Sequence, residues 1–136
     1  MKRVITTPDA PTGNASGPFP YSQAVVAGGL VFVAGQGPFD PATGAIVGET
    51  IQEQTRQALR NVEAILTAAG SSMDRAANAF FLLTNPEDFP GFNEEWARWF
   101  PTDPPARSGA KHPLDNPNFR ISISLVAEAG ETATPS

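Results

Sequence analysis

The segment Arg120-Ile-Ser-Ile-Ser-Leu-Val-Ala127 sets apolar side chains at Ile121, Ile123 and Leu125, with polar ones between Ile121, Ile123 and their neighbours. Successive side chains of a strand point to opposite faces, so this period-two run predicts a strand with one buried face. A sheet holding such a strand needs a covering layer on that side. The stretch from Thr50 to Gly70 supplies it, because Ile51, Ala58, Leu59, Val62, Ile65, Leu66 and Ala69 recur at three- and four-residue steps, the pattern of an amphipathic helix. Thr50 and Glu53 form a capping-box pair at its start, and Gly70 closes it.

The remaining elements follow from turn chemistry and spacing. A short strand over Arg3 to Thr6 leads into a loop, Thr6 to Pro20, dense in Pro, Gly, Asn and Ser. Gly28-Gly29 accepts positive φ freely and joins the apolar runs Gln23 to Ala27 and Leu30 to Ala34 as a hairpin. Asp40 to Gly44 is a second turn. Ala76 to Leu83, with Phe80, Phe81, Leu82 and Leu83, reads as a buried strand. In the next helix Asp88 is the expected cap and Pro90 falls in the first turn. Phe89, Phe92, Trp96, Trp99 and Phe100 keep helical spacing there; core or subunit packing suits that row better than a ligand wall. Ala106 to Gly109 is a further strand, and His112 to Asn118 is turn-rich. The order strand, strand, strand, helix, strand, helix, strand, strand describes an α+β fold with two helices packed on one face of a sheet. One domain is expected over 1–129, with a disordered tail over 130–136.

The 136 residues suit a single core. With no cysteine and one histidine, disulfides, thiolate zinc sites, cysteine nucleophiles and imidazole clusters are excluded, so redox and transition-metal chemistry are not expected. Nine Lys+Arg against 14 Asp+Glu give a net charge of −5, and the cations are scattered, which argues against a nucleic-acid partner. No run of about 18 apolar residues is present, and the apolar stretch after Lys2-Arg3 is too short for a signal peptide. A cytoplasmic protein with no membrane partner is expected.

Seven pieces, in order, resemble one family: Pro20-Tyr21-Ser22-Gln23-Ala24, Val33-Ala34-Gly35-Gln36-Gly37-Pro38, Asp40-Pro41-Ala42-Thr43-Gly44, Ala58 to Ile65, Asp88-Phe89, Phe92-Asn93 and Pro105-Ala106-Arg107-Ser108. The chain resembles the Rid (YjgF-type) reactive-intermediate deaminases from about Tyr21 to Ala127. The resemblance implies a chorismate-mutase-like homotrimer with cofactor-independent active sites in the clefts between subunits. It also implies hydrolysis of enamines and imines derived from amino acids to 2-keto acids and ammonia. Arg107 matches the arginine that pairs with the substrate carboxylate, a task suited to a planar guanidinium with two parallel N–H donors. Tyr21, Gly35 and Asn93 match a cleft-lining tyrosine, a glycine and an asparagine.

Three positions depart from the family pattern. The water-orienting glutamate of the last strand is Ser122, a family cysteine is Gly109, whose backbone groups remain available to a ligand, and the serine before Gly35 is Ala34. Serine cannot act as a carboxylate base, so the catalytic set implied is Arg107, Ser122 and Tyr21, with Ser122 positioning water. Tyr21 otherwise reads as a core cap with its hydroxyl in water. His112 is the side chain that titrates near neutrality, but Lys111 and Pro113 beside it point to an exposed turn. Asp103, Asp115 and Glu128 are other acids; Glu128 shares a strand face with Ser122 yet stands about 20 Å along it. Beside hydrolysis of a small carboxylate-bearing imine stand two other readings. One is a pathway enzyme that isomerises, cyclises or condenses such an intermediate in the same pocket; the other is a non-catalytic metabolite-binding protein.

Overall fold

The computed structural model describes residues 1–12, 20–113 and 116–130. Antiparallel strands β1 (Arg3–Ile5), β2 (Ala24–Ala27) and β3 (Leu30–Gln36) begin a sheet. Gly28 and Gly29 make the β2–β3 reversal at φ +59° and +78°, values that side chains resist and glycine takes without strain. At Asp40 the carboxylate accepts from the Ala42 and Thr43 amides, at 2.8 and 3.1 Å, and turns the chain toward the first helix. That helix, α1 (Ile51–Ala68), opens on the anticipated capping box: Thr50 Oγ1 accepts from the Glu53 amide and the Glu53 carboxylate accepts from the Thr50 amide, both at 3.1 Å.

Next come β4 (Ala76–Leu83), α2 (Phe89–Trp99), β5 (Ala106–Lys111) and β6 (Ile121–Glu128). The described strands form one mixed sheet in the order β1-β2-β3-β6-β4-β5. Among the described strands only β4 and β5 pair in parallel, which requires a crossover, and α2 is that crossover. Ile121, Ile123, Leu125 and Ala127 of β6 are buried with Val31 and Val33 of β3 under Leu59, Val62, Ile65 and Leu66 of α1. Each such large side chain contributes roughly 1.5–3 kcal/mol of burial. The fold is α+β, with both helices on one face, as expected.

Buried polar side chains on the helices fix loops near the sheet. Gln54 donates to the Asn118 carbonyl at 2.8 Å and accepts from the Arg120 amide at 2.9 Å, while Asn61 donates to the carbonyls of Gly37 and Phe39. Gln23 ties down the N-terminal segment through Thr7, Ala10 and Pro11. Glu95 of α2 receives both Arg56 of α1 and the Trp99 indole. Burial acts to raise the Glu95 carboxyl, but these hydrogen bonds outweigh it and hold the group below the usual carboxylate range.

Four expectations need correction. Asp88 makes no side-chain cap; its carboxylate instead takes Arg120 at 2.9 Å, and the neighbouring 3-10 turn is capped by Asn85 accepting from the Glu87 amide. A long-range cation displaced the local cap. The β4 strand is buried on one face only: Ala79 and Leu83 face the helices, whereas Phe80 is exposed on the other side. His112, expected in an exposed turn, is buried. Gly130, the first residue of the expected tail, is buried, and a Cβ there would run into the Gly70 carbonyl; 131–136 lie outside the described residues.

Candidate functional site

Parallel pairing sets Arg107 beside Ala79 and Gly109 beside Phe81, so both β5 residues share the helix-covered face. The Arg107 guanidinium carbon lies 5.2 Å from the Phe81 ring centroid, 5.6 Å from Phe89, 5.0 Å from Phe92 and 5.2 Å from Trp96. Rings at that range attract a cation through their quadrupoles. The ion pairs present among the described residues join Arg56 to Glu95 and Arg120 to Asp88, and neither reaches Arg107. Burial pulls its pKa below the ordinary arginine value, yet a guanidinium starts so high that it stays charged. A partly desolvated cation thus sits on an aromatic surface with no carboxylate paired to it among the described residues.

Beside it lies an open cleft of about 340 Å³ lined by Phe81, Leu83, Pro86, Phe89, Gly109, Ala110 and Lys111. Gly109 is required by this packing, because a Cβ there would stand 2.4 Å from the Phe81 ring. Asn93 follows Phe92 on α2 and is half-buried. Phe92, Trp96 and Phe100 are core residues, as their spacing predicts, but Phe92 and Trp96 also present rings to Arg107.

The other site residues form a second group. Ser122 falls between buried Ile121 and Ile123 and pairs with Leu82, so its hydroxyl emerges on the uncovered face. An irregularity in the β3–β6 register between Val33 and Gln36 brings Gly35 against it; a Cβ on Gly35 would be 3.0 Å from Ser122 Oγ. Ala34 precedes Gly35, donates its amide to the Gln23 carbonyl at 2.9 Å and accepts from the Gln36 side chain at 3.1 Å. Tyr21 stands before β2 and is 59% exposed. Arg107 and Gly109 are therefore brought together, as are Ser122, Gly35 and Ala34, but a single chain does not join the two groups.

His112 donates its backbone amide to the Leu83 carbonyl at 3.0 Å, which continues the β4–β5 ladder and draws the residue inward. Its ring lies 4.5 Å from that of Phe119, and burial lowers its pKa. Of the other acids, Asp103 is exposed at φ +48°, Glu128 is exposed at the end of β6, and Asp115 lies outside the described residues. Among the described residues no cluster of His, Asp or Glu is placed to hold a metal ion, and no helix is long and apolar enough to cross a membrane.

Sequence reasoning missed the part played by Phe81 and Phe89. The spacing of Phe89, Phe92 and Trp96 at i, i+3 and i+7 places three rings on one helix face, a signal that was available. The facing of Phe81 depends on which side of β4 meets α2, and only the assembled sheet decides that.

Residues 12–129 match the family model described as Endoribonuclease L-PSP. A RutC family protein of Saccharolobus solfataricus is 41% identical over 128 residues, covering 94% of this chain and 98% of that protein. A protein of Capra hircus named 2-iminobutanoate/2-iminopropanoate deaminase is 34% identical over 136 residues, covering 100% of this chain and 96% of its own. The solved structure of the Rid family protein YyfA of Yersinia pestis superposes with a TM-score of 0.84 at 33% identity, covering 95% of this chain and 100% of that one. The motifs, the mixed sheet and these end-to-end likenesses agree: the chain belongs to the Rid/YjgF family.

Proposed function

We propose that the protein binds small 2-imino or 2-enamino acids and hydrolyses them to a 2-keto acid and ammonia. The observation that carries this reading is Arg107, a buried-edge cation held on four rings with no carboxylate partner among the described residues and a cleft beside it. A substrate carboxylate matches that cation in charge and in planar geometry. The goat relative named an imine deaminase supports the reaction class.

In the proposed reaction Arg107 fixes the carboxylate and so orients the C=N carbon. Water adds its oxygen to that carbon while the C=N electron pair moves to nitrogen and takes up one of the water's protons; the resulting carbinolamine passes its hydroxyl proton to nitrogen through solvent and expels ammonia to leave the keto group. Ser122 hydrogen-bonds the attacking water but cannot take its proton as a carboxylate would. Orientation and fixed charges therefore supply most of the acceleration. Because Arg107 and Ser122 face away from each other within one chain, the site is completed between copies, in keeping with a homotrimer. Ser122 also favours a second reading, a non-hydrolytic transformation of the same intermediate, since a pocket without a base spares an imine from water. An RNA substrate fits poorly with a net charge of −5 and scattered cations.

The test is keto-acid release from imines generated in situ by an amino-acid oxidase. Acceleration over the buffer rate that Arg107→Ala removes is the expected result. A wild-type rate equal to buffer, with keto acids still bound, would instead favour the non-hydrolytic reading.

A further inference from the structure

The cleft beside Arg107 has apolar walls, and two of them are rings. Phe81 and Phe89 lie with centroids 6.1 Å apart and planes inclined by 30°, and Leu83 and Pro86 extend the same surface. Phe89 is 41% exposed and lines the cleft, so part of its ring is open to it. Gly109 makes the arrangement possible, since any Cβ there would collide with Phe81. Arg107 and Gly109 are two residues apart on one strand face, about 6.6 Å along it. An acid gripped by Arg107 can therefore direct the substituent on its third carbon along β5, onto the surface that Phe81, Phe89, Leu83 and Pro86 present to the cleft.

We propose that this cleft is the subsite for the substrate side chain and that the side chain is a planar aromatic ring, so that the acid is of the arylalanine class and not a short aliphatic one. The proposal rests on Arg107 as the carboxylate anchor. A two-carbon side chain would leave most of a cleft of about 340 Å³ unfilled. An aromatic ring fills the space and stacks offset on Phe81 and Phe89, at the centroid separations of roughly 4.5–7 Å that such rings prefer. Displacing water from apolar walls then adds affinity that short side chains cannot gain.

Calorimetry with phenylpyruvate and 2-oxobutanoate, stable keto acids that share a carboxylate and differ in side chain, provides the test. Phenylpyruvate should bind at least tenfold more tightly to the wild type, and Phe89→Ala should cut that ratio below threefold. Gly109→Ala should act in the same direction by displacing Phe81, which guards against misfolding of either variant alone. Equal or reversed affinities in the wild type, with Arg107→Ala still abolishing both, would overturn the aromatic subsite and leave the anchor standing. So would a ratio that survives Phe89→Ala, or a cleft filled by a neighbouring copy and blind to side chain. Binding of both acids that withstands Arg107→Ala would overturn the anchor and this proposal with it.

Discussion

Arg107 and Ser122 lie on opposite faces of one sheet: the guanidinium rests on rings of β4 and α2, while the hydroxyl emerges between Ile121 and Ile123 on the uncovered side. Two groups so placed cannot grip one small molecule within a single chain. On the proposed mechanism the site takes Arg107 from one copy and Ser122 with Gly35 from another, which would tie activity to assembly.

The first prediction concerns that assembly. The uncovered face presents Val4, Phe32 and Phe80, which are 54%, 44% and 39% exposed, an apolar surface that association would hide. Sedimentation should give three times the monomer mass. Phe32→Glu combined with Phe80→Glu should lower the mass to one chain and abolish turnover while the far-ultraviolet dichroism persists. A wild-type monomer that turns over substrate would refute the shared site.

Arg107→Ala should abolish binding of small 2-keto acids, a loss of about 2–5 kcal/mol expected when one partner of a desolvated charge pair is removed. Arg107→Lys should bind poorly as well, because an ammonium neither forks onto a carboxylate nor stacks flat on the rings. Calorimetry checks both, with thermal melts to show that the aromatic surface survives. Keto-acid affinity unchanged in Arg107→Ala would remove the anchor.

Features fixed by neighbouring residues were legible in the sequence: the Gly28-Gly29 hairpin, the Thr50–Glu53 box and the alternation of β6 all form through short-range geometry. The Arg107 position was legible through its motif, but its facing was not, since that follows from the parallel register with β4 across the α2 crossover. Asp88 and His112 were misread for a related reason. Each answers to a partner far along the chain, Arg120 for the carboxylate and Leu83 for the histidine, and no local pattern announces such partners.

Burial of His112 predicts a pH dependence of stability. Its folded pKa is depressed, so below the unfolded value of about 6.5 the unfolded chain binds a proton that the folded chain resists. The stabilisation is present above that pH and is lost as pH falls through it toward the folded pKa. Urea midpoints at pH 7.5 and 5.5 should therefore drop more in wild type than in His112→Gln, whose side chain does not titrate. An equal drop in both would assign the acid sensitivity to carboxylates.

The last prediction restores a base where Ser122 stands. The uncovered face beside Gly35 has no Cβ in the way, since one placed there would stand 3.0 Å from Ser122 Oγ, so a longer acidic side chain can extend along it. Leu82 alongside and the apolar face around it disfavour the charged form, which lifts a carboxyl toward the pKa range useful for general-base work near neutrality. Ser122→Glu should therefore accelerate hydrolysis of a 2-iminobutanoate-type substrate over wild type. General acid–base assistance gives about 10²–10⁴-fold, and the low end is expected while Ala34 and Gly109 leave the new carboxylate short of hydrogen-bond neighbours. Keto-acid release compared across wild type, Ser122→Glu and Ser122→Ala measures it. If wild type hydrolyses the imine rapidly and Ser122→Ala matches it, the water is activated elsewhere, and the assignment of Ser122 fails.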